Sequence, residues 1–140
     1  MDFAELEENL LFFEDWSDRY QYIIGLGAKI PPLPDEYHVD KYKVEGCLSQ
    51  VWLKTEIVDD GGPKRLQFDA DSDSAIVKGL FAILRILFSG KTAEEILAVD
   101  LDAAFAQIGL DRHLSPNRRN GFFAMIEEMR RSAAVVKSMD

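Results

Sequence analysis

The β-forming residues of this chain are confined to one short block that lies between two helical regions. Apolar and polar residues alternate from residue 50 to residue 59, and the alternation returns over residues 66–70. Residues 59–63 read Asp-Asp-Gly-Gly-Pro, a composition typical of turns. The block therefore predicts a β-hairpin. Residues 42–44 are a candidate third strand, because a two-stranded ribbon alone is marginally stable in water.

Helical periodicity fills the sequence on both sides of this block. Two helices are predicted before it, over residues 3–13 and 15–26, and the proline-rich residues 31–34 impose an extended segment after them. Residues 74–89 predict a helix that is apolar around most of its circumference and lies in the middle of the core, with Ser72 or Asp73 as its N-cap.

Capping signals divide the remainder of the chain. Thr92 and Glu95 have the spacing of a capping box for a short helix that ends near residue 98. Asp100 or Asp102 starts a further helix that ends at Gly109, and Ser115 followed by proline starts the last one. The predicted fold is α+β, with a small antiparallel sheet of about three strands packed against helices from both ends of the chain.

Composition favours one globular domain and narrows the classes of function. The chain has 140 residues, of which 47% are apolar, so residues 1–140 predict a single domain with a core to about residue 132 and a flexible tail over residues 133–140. The formal net charge of −9 disfavours binding to nucleic acid and to anionic membranes. The acidic N-terminus does not resemble a secretory signal, and the most apolar stretch, residues 79–90, is too short to span a bilayer, so a cytoplasmic location is expected.

Cys47 is the one cysteine of the chain and its most informative residue for function. A single cysteine closes no intramolecular disulfide and supplies too few ligands for zinc or an iron-sulfur cluster, so neither metal nor cofactor is expected. Three interpretations remain: a nucleophile, a carrier or a small core residue. Gly46 before it, with Ser49 and Gln50 after it, predicts a turn that leads into the strand at residue 51.

A reactive thiol at this position needs help to ionise. At an ordinary pKa of about 8.5, half-ionisation at pH 7 requires roughly 2 kcal/mol of stabilisation of the thiolate. His113, Arg118 and Arg119 lie near the start of the last helix and are the candidate helpers, although surface charge and packing explain such residues equally well. No cysteine-protease arrangement is present, so a stand-alone enzyme is not expected.

Five sequence blocks together resemble the SufE family, which includes CsdE-like proteins. They cover nearly the whole chain in the family's order, and the block around Cys47 is the most specific of them. Leu48 and Arg119 depart from the pattern, which usually has glutamine and a small residue at these positions. The blocks are Trp-Ser-Asp-Arg-Tyr at 16–20, Pro-Pro-Leu-Pro at 31–34, Val-Glu-Gly-Cys-Leu-Ser-Gln-Val-Trp at 44–52, Ala-Asp-Ser-Asp-Ser-Ala-Ile-Val-Lys-Gly at 70–79 and His-Leu-Ser-Pro-Asn-Arg-Arg-Asn-Gly at 113–121.

The resemblance implies a fold shared with the scaffold proteins that assemble iron-sulfur clusters, and a role in sulfur transfer. In that family a cysteine desulfurase of the SufS or CsdA kind, which holds pyridoxal phosphate itself, donates persulfide sulfur to the SufE-like partner. The sulfur then goes to a downstream scaffold such as a SufBCD-like complex. By this resemblance Cys47 is the persulfide carrier of a sulfurtransferase-like accessory protein that stimulates the desulfurase, as a monomer or homodimer.

The resemblance also suggests supporting or partner-contact residues around the thiol. Asp73 is expected to hold a sheltered position of the cysteine turn, and Arg118 to favour the persulfide or dock the desulfurase. Leu48 and Trp52 are expected to form walls of a hydrophobic pocket for Cys47. Two rival functions stay open: a thiol-based redox sensor or peroxidase, which lacks a resolving cysteine in the chain, and a cysteine-independent adaptor. The complete set of supporting candidates is Gly46, Ser49, Gln50, Trp52, Asp73, His113 and Arg118.

Overall fold

A computed structural model describes residues 1–46 and 49–139, and the architecture is α+β. In this part of the chain there are seven α-helices and a three-stranded sheet, and two short 3-10 turns, Asp35–Tyr37 and Asp40–Tyr42, precede the first strand. The elements in chain order are α1 (Phe3–Phe12), α2 (Trp16–Ala28), β1 (Val51–Val58), β2 (Arg65–Ser72), α3 (Ala75–Phe88), β3 (Lys91–Thr92), α4 (Ala93–Ala98), α5 (Leu101–Ile108), α6 (Leu110–His113) and α7 (Pro116–Ser138).

The predicted hairpin is present and forms most of the sheet. β1 and β2 pair antiparallel from Val51 opposite Ser72 to Val58 opposite Arg65, and the sheet order is β1-β2-β3. Alternation puts one face of the hairpin into the core, because Leu66, Phe68 and Ala70 are buried while Arg65 and Gln67 are exposed. The other face carries the polar residues of the pattern.

Helix α3 lies in the middle of the core, as its apolar circumference predicted. Its buried residues include Gly79, Leu80, Phe81, Ala82, Ile83, Leu84, Leu87 and Phe88. Helix α2 crosses it at a close contact between glycines. A Cβ atom built on Gly27 would lie 2.5 Å from the backbone nitrogen of Gly79, so neither glycine leaves room for a side chain. Among the described residues, no helix combines the length and apolarity that crossing a membrane requires.

The structure differs from the sequence prediction in the third strand. Residues 42–44 contribute only a single bridge, between Lys43 and Trp52, whereas the third strand is Lys91–Thr92 on the opposite side of β2. Two residues carry no alternation, so β3 left no periodic signal. The backbone N–H of Gly90 donates to the carbonyl of Leu66 at 2.7 Å and brings this segment onto the sheet.

Two further boundaries differ from the prediction. The N-cap of α3 is Ser74, whose Oγ accepts from the N–H of Val77, and not Ser72 or Asp73. At the other end of the chain, α7 continues through Ser138, with Ala133 and Val136 buried, so buried packing extends beyond residue 132.

Candidate functional site

The segment around the cysteine is a loop whose two described ends are fixed to the rest of the protein. Cys47 and Leu48 lie outside the described residues, so the site is built from the residues on either side of them. Before the cysteine, the N–H of Val44 donates to the carbonyl of Val51 at 2.8 Å. Both valines are buried, and their hydrogen bond closes the loop of residues 45–50 at the start of β1.

Gly46 brings the chain to Cys47 in a conformation that favours glycine. Its φ angle is +91°, in the region that side chains with a Cβ disfavour. A Cβ built on Gly46 would lie 3.5 Å from the Cβ of Ala124 on α7, which is an ordinary contact distance. The position therefore requires glycine for its backbone angle rather than for space, and the residue before the cysteine lies against α7.

On the other side of the cysteine, Asp73 holds Gln50. Its Oδ1 accepts from the N–H of Gln50 at 3.0 Å, and its own N–H donates to the carbonyl of Gln50 at 3.3 Å. Asp73 is thus used for a contact between residues 23 positions apart, while Ser74 caps α3. The two predicted residues Gln50 and Asp73 are brought together by these paired hydrogen bonds.

Ser49 and Arg118, also predicted from sequence, line one small cavity. Its volume is about 180 Å³, and its other walls come from α3 and the first turns of α7. Ser115 caps α7 by accepting from the N–H of Arg118 at 3.4 Å, and the Arg118 guanidinium lies 5.8 Å from the ring of Tyr20. Arg118 and the first turns of a 23-residue helix, whose N-terminus is its positive end, therefore border the cavity. The complete lining is Ser49, Ser74, Ile76, Val77, Asn117, Arg118 and Gly121.

Two predicted residues have other partners. His113 stacks on Trp16 with ring centroids 3.9 Å apart, and no hydrogen bond or ring contact within residues 1–46 and 49–139 joins it to the loop. Trp52 lies between the buried Val51 and Leu53 in β1, so its side chain leaves the sheet on the opposite face. There its ring lies against that of His38, with the centroids 4.7 Å apart and an angle of 69° between the ring planes. The prediction that Trp52 walls the thiol pocket concerns residue 47 and stays a prediction.

Sequence reasoning missed an ionic cluster at the end of β2. His38 Nε2 lies 2.7 Å from Asp71 Oδ2, and Lys78 Nζ lies 3.2 Å from Asp71 Oδ1. The hydrogen bond to Asp71 raises the pKa of His38 above its ordinary value, although partial burial opposes this shift. Burial would raise the pKa of Asp71, yet hydrogen bonds from His38, the Ser72 N–H and Lys78 together lower it. His38 and Asp71 are 33 positions apart, so no local motif predicted their contact.

Gly46 also lines a second concavity, of about 360 Å³, whose walls carry both positive and negative side chains. Lys43 and Arg131 line it together with Glu45, Glu127 and Glu128, and Arg131 pairs with Glu128 at 2.8 Å. Among the described residues, no group of three or more His, Cys, Asp or Glu side chains is arranged to hold a metal ion.

Comparisons with known proteins show which family the chain belongs to. A family model described as SufE, Fe-S metabolism associated domain, matches residues 4–133. The chain belongs to the SufE family. An uncharacterized SufE-like protein of Rhizobium meliloti is 41% identical over 129 residues, covering 92% of each chain. One from Rhizobium etli is 42% identical over 131 residues, covering 94% of this chain and 88% of that one.

A solved structure supports the fold independently. The solution structure of a hypothetical protein from Thermus thermophilus superposes with a TM-score of 0.70 at 21% identity, covering 97% of this chain and 96% of that one. Membership of the SufE family associates the chain with iron-sulfur metabolism. Arg119 donates from its guanidinium to the carbonyl of Asp111 at 3.1 Å and so ties α7 to α6.

Proposed function

We propose that this SufE-family protein is a sulfur acceptor and carrier that stimulates a cysteine desulfurase by taking persulfide sulfur onto Cys47. The observation that carries the proposal is the cavity beside the loop, which Ser49 lines two positions after the cysteine and which Arg118 and the start of α7 border. A cation and a helix N-terminus stabilise an anionic sulfur, whether thiolate or persulfide. The association of the family with iron-sulfur metabolism supports the same role.

The transfer is a thiol-disulfide exchange in form. The Cys47 thiolate attacks the terminal sulfur of the donor's Cys-S-SH group, the donor's S–S bond breaks, and the donor cysteine leaves as a thiolate. The hydrogen of the terminal sulfur stays with it, and the product is Cys47-S-SH, so no external oxidant or reductant is consumed. The pyridoxal phosphate that generates the donor persulfide belongs to the desulfurase. The final acceptor is a cluster scaffold such as a SufBCD-like complex.

A lone cysteine suits a carrier. A second thiol close by would attack the new persulfide, close a disulfide and release the sulfur as sulfide. Cys47 is the one cysteine in the sequence, so the chain itself offers no such competitor.

The direct test follows one sulfur atom. The protein is mixed with a cysteine desulfurase and cysteine, and intact mass and sulfide production are measured for the native chain and for Cys47→Ser. A gain of one sulfur atom at Cys47, with stimulation lost in Cys47→Ser, supports the carrier. Full stimulation by Cys47→Ser without an adduct would instead favour a cysteine-independent adaptor, and a sulfenic acid formed with peroxide would favour the redox sensor.

Asp73 is proposed to hold the loop in a sheltered position between encounters with the donor. Asp73→Ala removes the carboxylate acceptor for the Gln50 N–H, while the backbone N–H of residue 73 still donates to the Gln50 carbonyl and Ser74 still caps α3. We expect faster alkylation of Cys47 and altered desulfurase stimulation. Asp100→Ala is the matched control, because it also removes an aspartate acceptor and costs about 1 kcal/mol as the cap of α5, but leaves the Gln50 contact and the cavity in place. If Asp73→Ala matched the native protein in both assays, the sheltered position would be abandoned.

A further inference from the structure

His38 connects the segment that leads into the cysteine loop to the sheet. It follows the 3-10 turn Asp35–Tyr37, and its Nε2 lies 2.7 Å from a carboxylate oxygen of Asp71 in β2. The side chains of His38 and Asp71 are 22% and 25% exposed, so water competes only partly for their contact. The edge-to-face contact of His38 with Trp52 at 4.7 Å fixes the ring further.

Both ring nitrogens of His38 face acceptors. Besides the contact of Nε2 with Asp71, Nδ1 lies 3.8 Å from a carboxylate oxygen of Asp35, whose side chain is exposed. Nδ1 is buried and, among the described residues, has no hydrogen-bond partner. A neutral imidazole carries one N–H, so one of its nitrogens would present a lone pair to these acceptors, whereas the imidazolium donates from both. The surroundings therefore favour the charged ring.

The charged groups around this ring come from three elements. Asp35 belongs to its own segment, Asp71 to β2, and Lys78 of α3 approaches the second oxygen of Asp71 at 3.2 Å. From β1 the ring meets the neutral indole of Trp52. When His38 loses its proton, Asp71 keeps Lys78 as a partner, so the carboxylate remains in place and the contact with His38 alone weakens.

The contact lies next to the closure of the cysteine loop. Asp71 is the register partner of Trp52, and Trp52 is bridged on its other side by Lys43, one residue before the Val44 that closes the loop. Two positions beyond Asp71, Asp73 holds Gln50 on the far side of the loop. Asp71 thus contacts the segment that leads toward the loop, and Asp73 contacts Gln50 at the exit of the loop.

We propose that His38 is a positioning residue for the hydrogen bond from the Val44 N–H to the Val51 carbonyl, and that loss of the His38 proton weakens this hydrogen bond. The Val44–Val51 hydrogen bond then opens more often as the pH rises through the pKa of His38. The effect on this hydrogen bond stands by itself. Its consequence for sulfur transfer, easier access to Cys47 at higher pH, rests on the proposed function.

The linkage between protonation of His38 and opening of the Val44–Val51 hydrogen bond gives the expected size of the pH effect. The pKa of His38 is measured by NMR titration of its ring protons, and the protection factor of the Val44 amide is measured by hydrogen exchange from about pH 5.5 to 8.5. If opening of the Val44–Val51 hydrogen bond releases His38 from Asp71, the protection factor is lower at the alkaline limit of pH than at the acid limit. The expected ratio of the two protection factors is ten raised to the difference between the measured pKa of His38 and about 6.5, the value for a free histidine. A raised pKa of His38, together with a Val44 protection factor that does not change with pH, would overturn the proposal.

Two variants separate the histidine from its surroundings. His38→Gln keeps a side-chain donor but cannot titrate, so the Val44 protection factor should become independent of pH. Asp35→Asn changes an exposed side chain at 3.8 Å and should lower the pKa of His38 slightly without unfolding the protein. The ratio of the Val44 protection factors at the two pH limits should then shrink by ten raised to the decrease in that pKa. An unchanged ratio would count against the proposal.

A third measurement keeps the two proposals apart. Alkylation of Cys47 by iodoacetamide is compared between the native protein and His38→Gln across the same pH range, so that the common ionisation of the thiol cancels in the ratio. We expect the native-to-variant ratio to rise with pH. Absence of a sulfur adduct on Cys47 after incubation with a desulfurase would refute the carrier function and leave the Val44 result standing.

Discussion

At the scale of single residues, the backbone angle of Gly46 gives the most direct prediction. Its φ of +91° disfavours any residue with a Cβ, while the contact at 3.5 Å from Ala124 leaves adequate space. Gly46→Ala should therefore lower the free energy of unfolding by about 1–2 kcal/mol through backbone strain. Urea denaturation followed by circular dichroism measures this change.

Gly61 supplies the control for that substitution. It also has a positive φ, of +97°, and nothing lies within 4 Å of a Cβ built on it, at the far end of the hairpin. Gly61→Ala should cost a similar amount of stability and leave Cys47 alkylation unchanged, whereas Gly46→Ala should change it. Equal alkylation rates in the two variants would show that the angle at Gly46 does not set the loop's conformation.

Residue identities could be predicted from sequence more readily than the partners of those residues. Asp73 was expected both to cap α3 and to act at the site, but the cap is Ser74 and Asp73 binds Gln50. Both offer an oxygen at the start of a helix, so local chemistry does not distinguish them. His38 gave no sequence signal, because its contact with Asp71 forms only when folding brings the two residues together.

At the scale of elements, the crossing of α2 and α3 depends on two glycines. A Cβ on Gly27 would lie 2.5 Å from the Gly79 nitrogen, and both atoms belong to helix backbones that cannot yield separately. Gly27→Ala should therefore force the helices apart and lower the free energy of unfolding by about 1–3 kcal/mol or more. Chemical denaturation gives the value directly.

Gly25 provides a comparison within the same helix. Nothing lies within 4 Å of a Cβ built on it, so Gly25→Ala should stabilise the protein by about 0.5–1 kcal/mol through helix propensity alone. The two substitutions should thus have opposite signs although they are two residues apart. A stabilising Gly27→Ala would mean that the helices cross at a greater distance than this contact implies.

Helix ends were predictable because their signals are local. Thr92 and Glu95 form the predicted capping box, and Ser115 caps α7 ahead of Pro116. β3 was not predictable, since its pairing depends on Gly90 meeting Leu66 after the chain has passed through α3. Elements fixed by neighbouring residues could be read from sequence, and those fixed by distant contacts could not.

At the scale of the whole molecule, one histidine and two carboxyl groups with displaced pKa values shape stability as a function of pH. The pKa of His38 is raised from 6.5 by its hydrogen bond to Asp71, so its contribution is complete below pH 6.5 and is lost as the pH rises through the folded pKa. Hydrogen bonds from Thr92 lower the pKa of Glu95 from 4.5. Burial opposes the shift at Asp71, but the hydrogen bonds that its carboxylate accepts lower its pKa from 3.8. The stability that Glu95 and Asp71 contribute is complete when the pH is above their ordinary pKa values. It is lost as the pH falls through their pKa values in the folded protein.

The midpoint of urea unfolding should therefore be highest between about pH 4.5 and 6.5 and should decline on both sides. The His38–Asp71 pair contributes to both declines, because the histidine must be charged and the aspartate ionised for the pair to exist. Asp71→Asn should flatten the profile at both ends, His38→Gln mainly at the alkaline end, and Glu95→Gln only at the acid end. A native profile retained in Asp71→Asn would show that other groups set the pH limits of this fold.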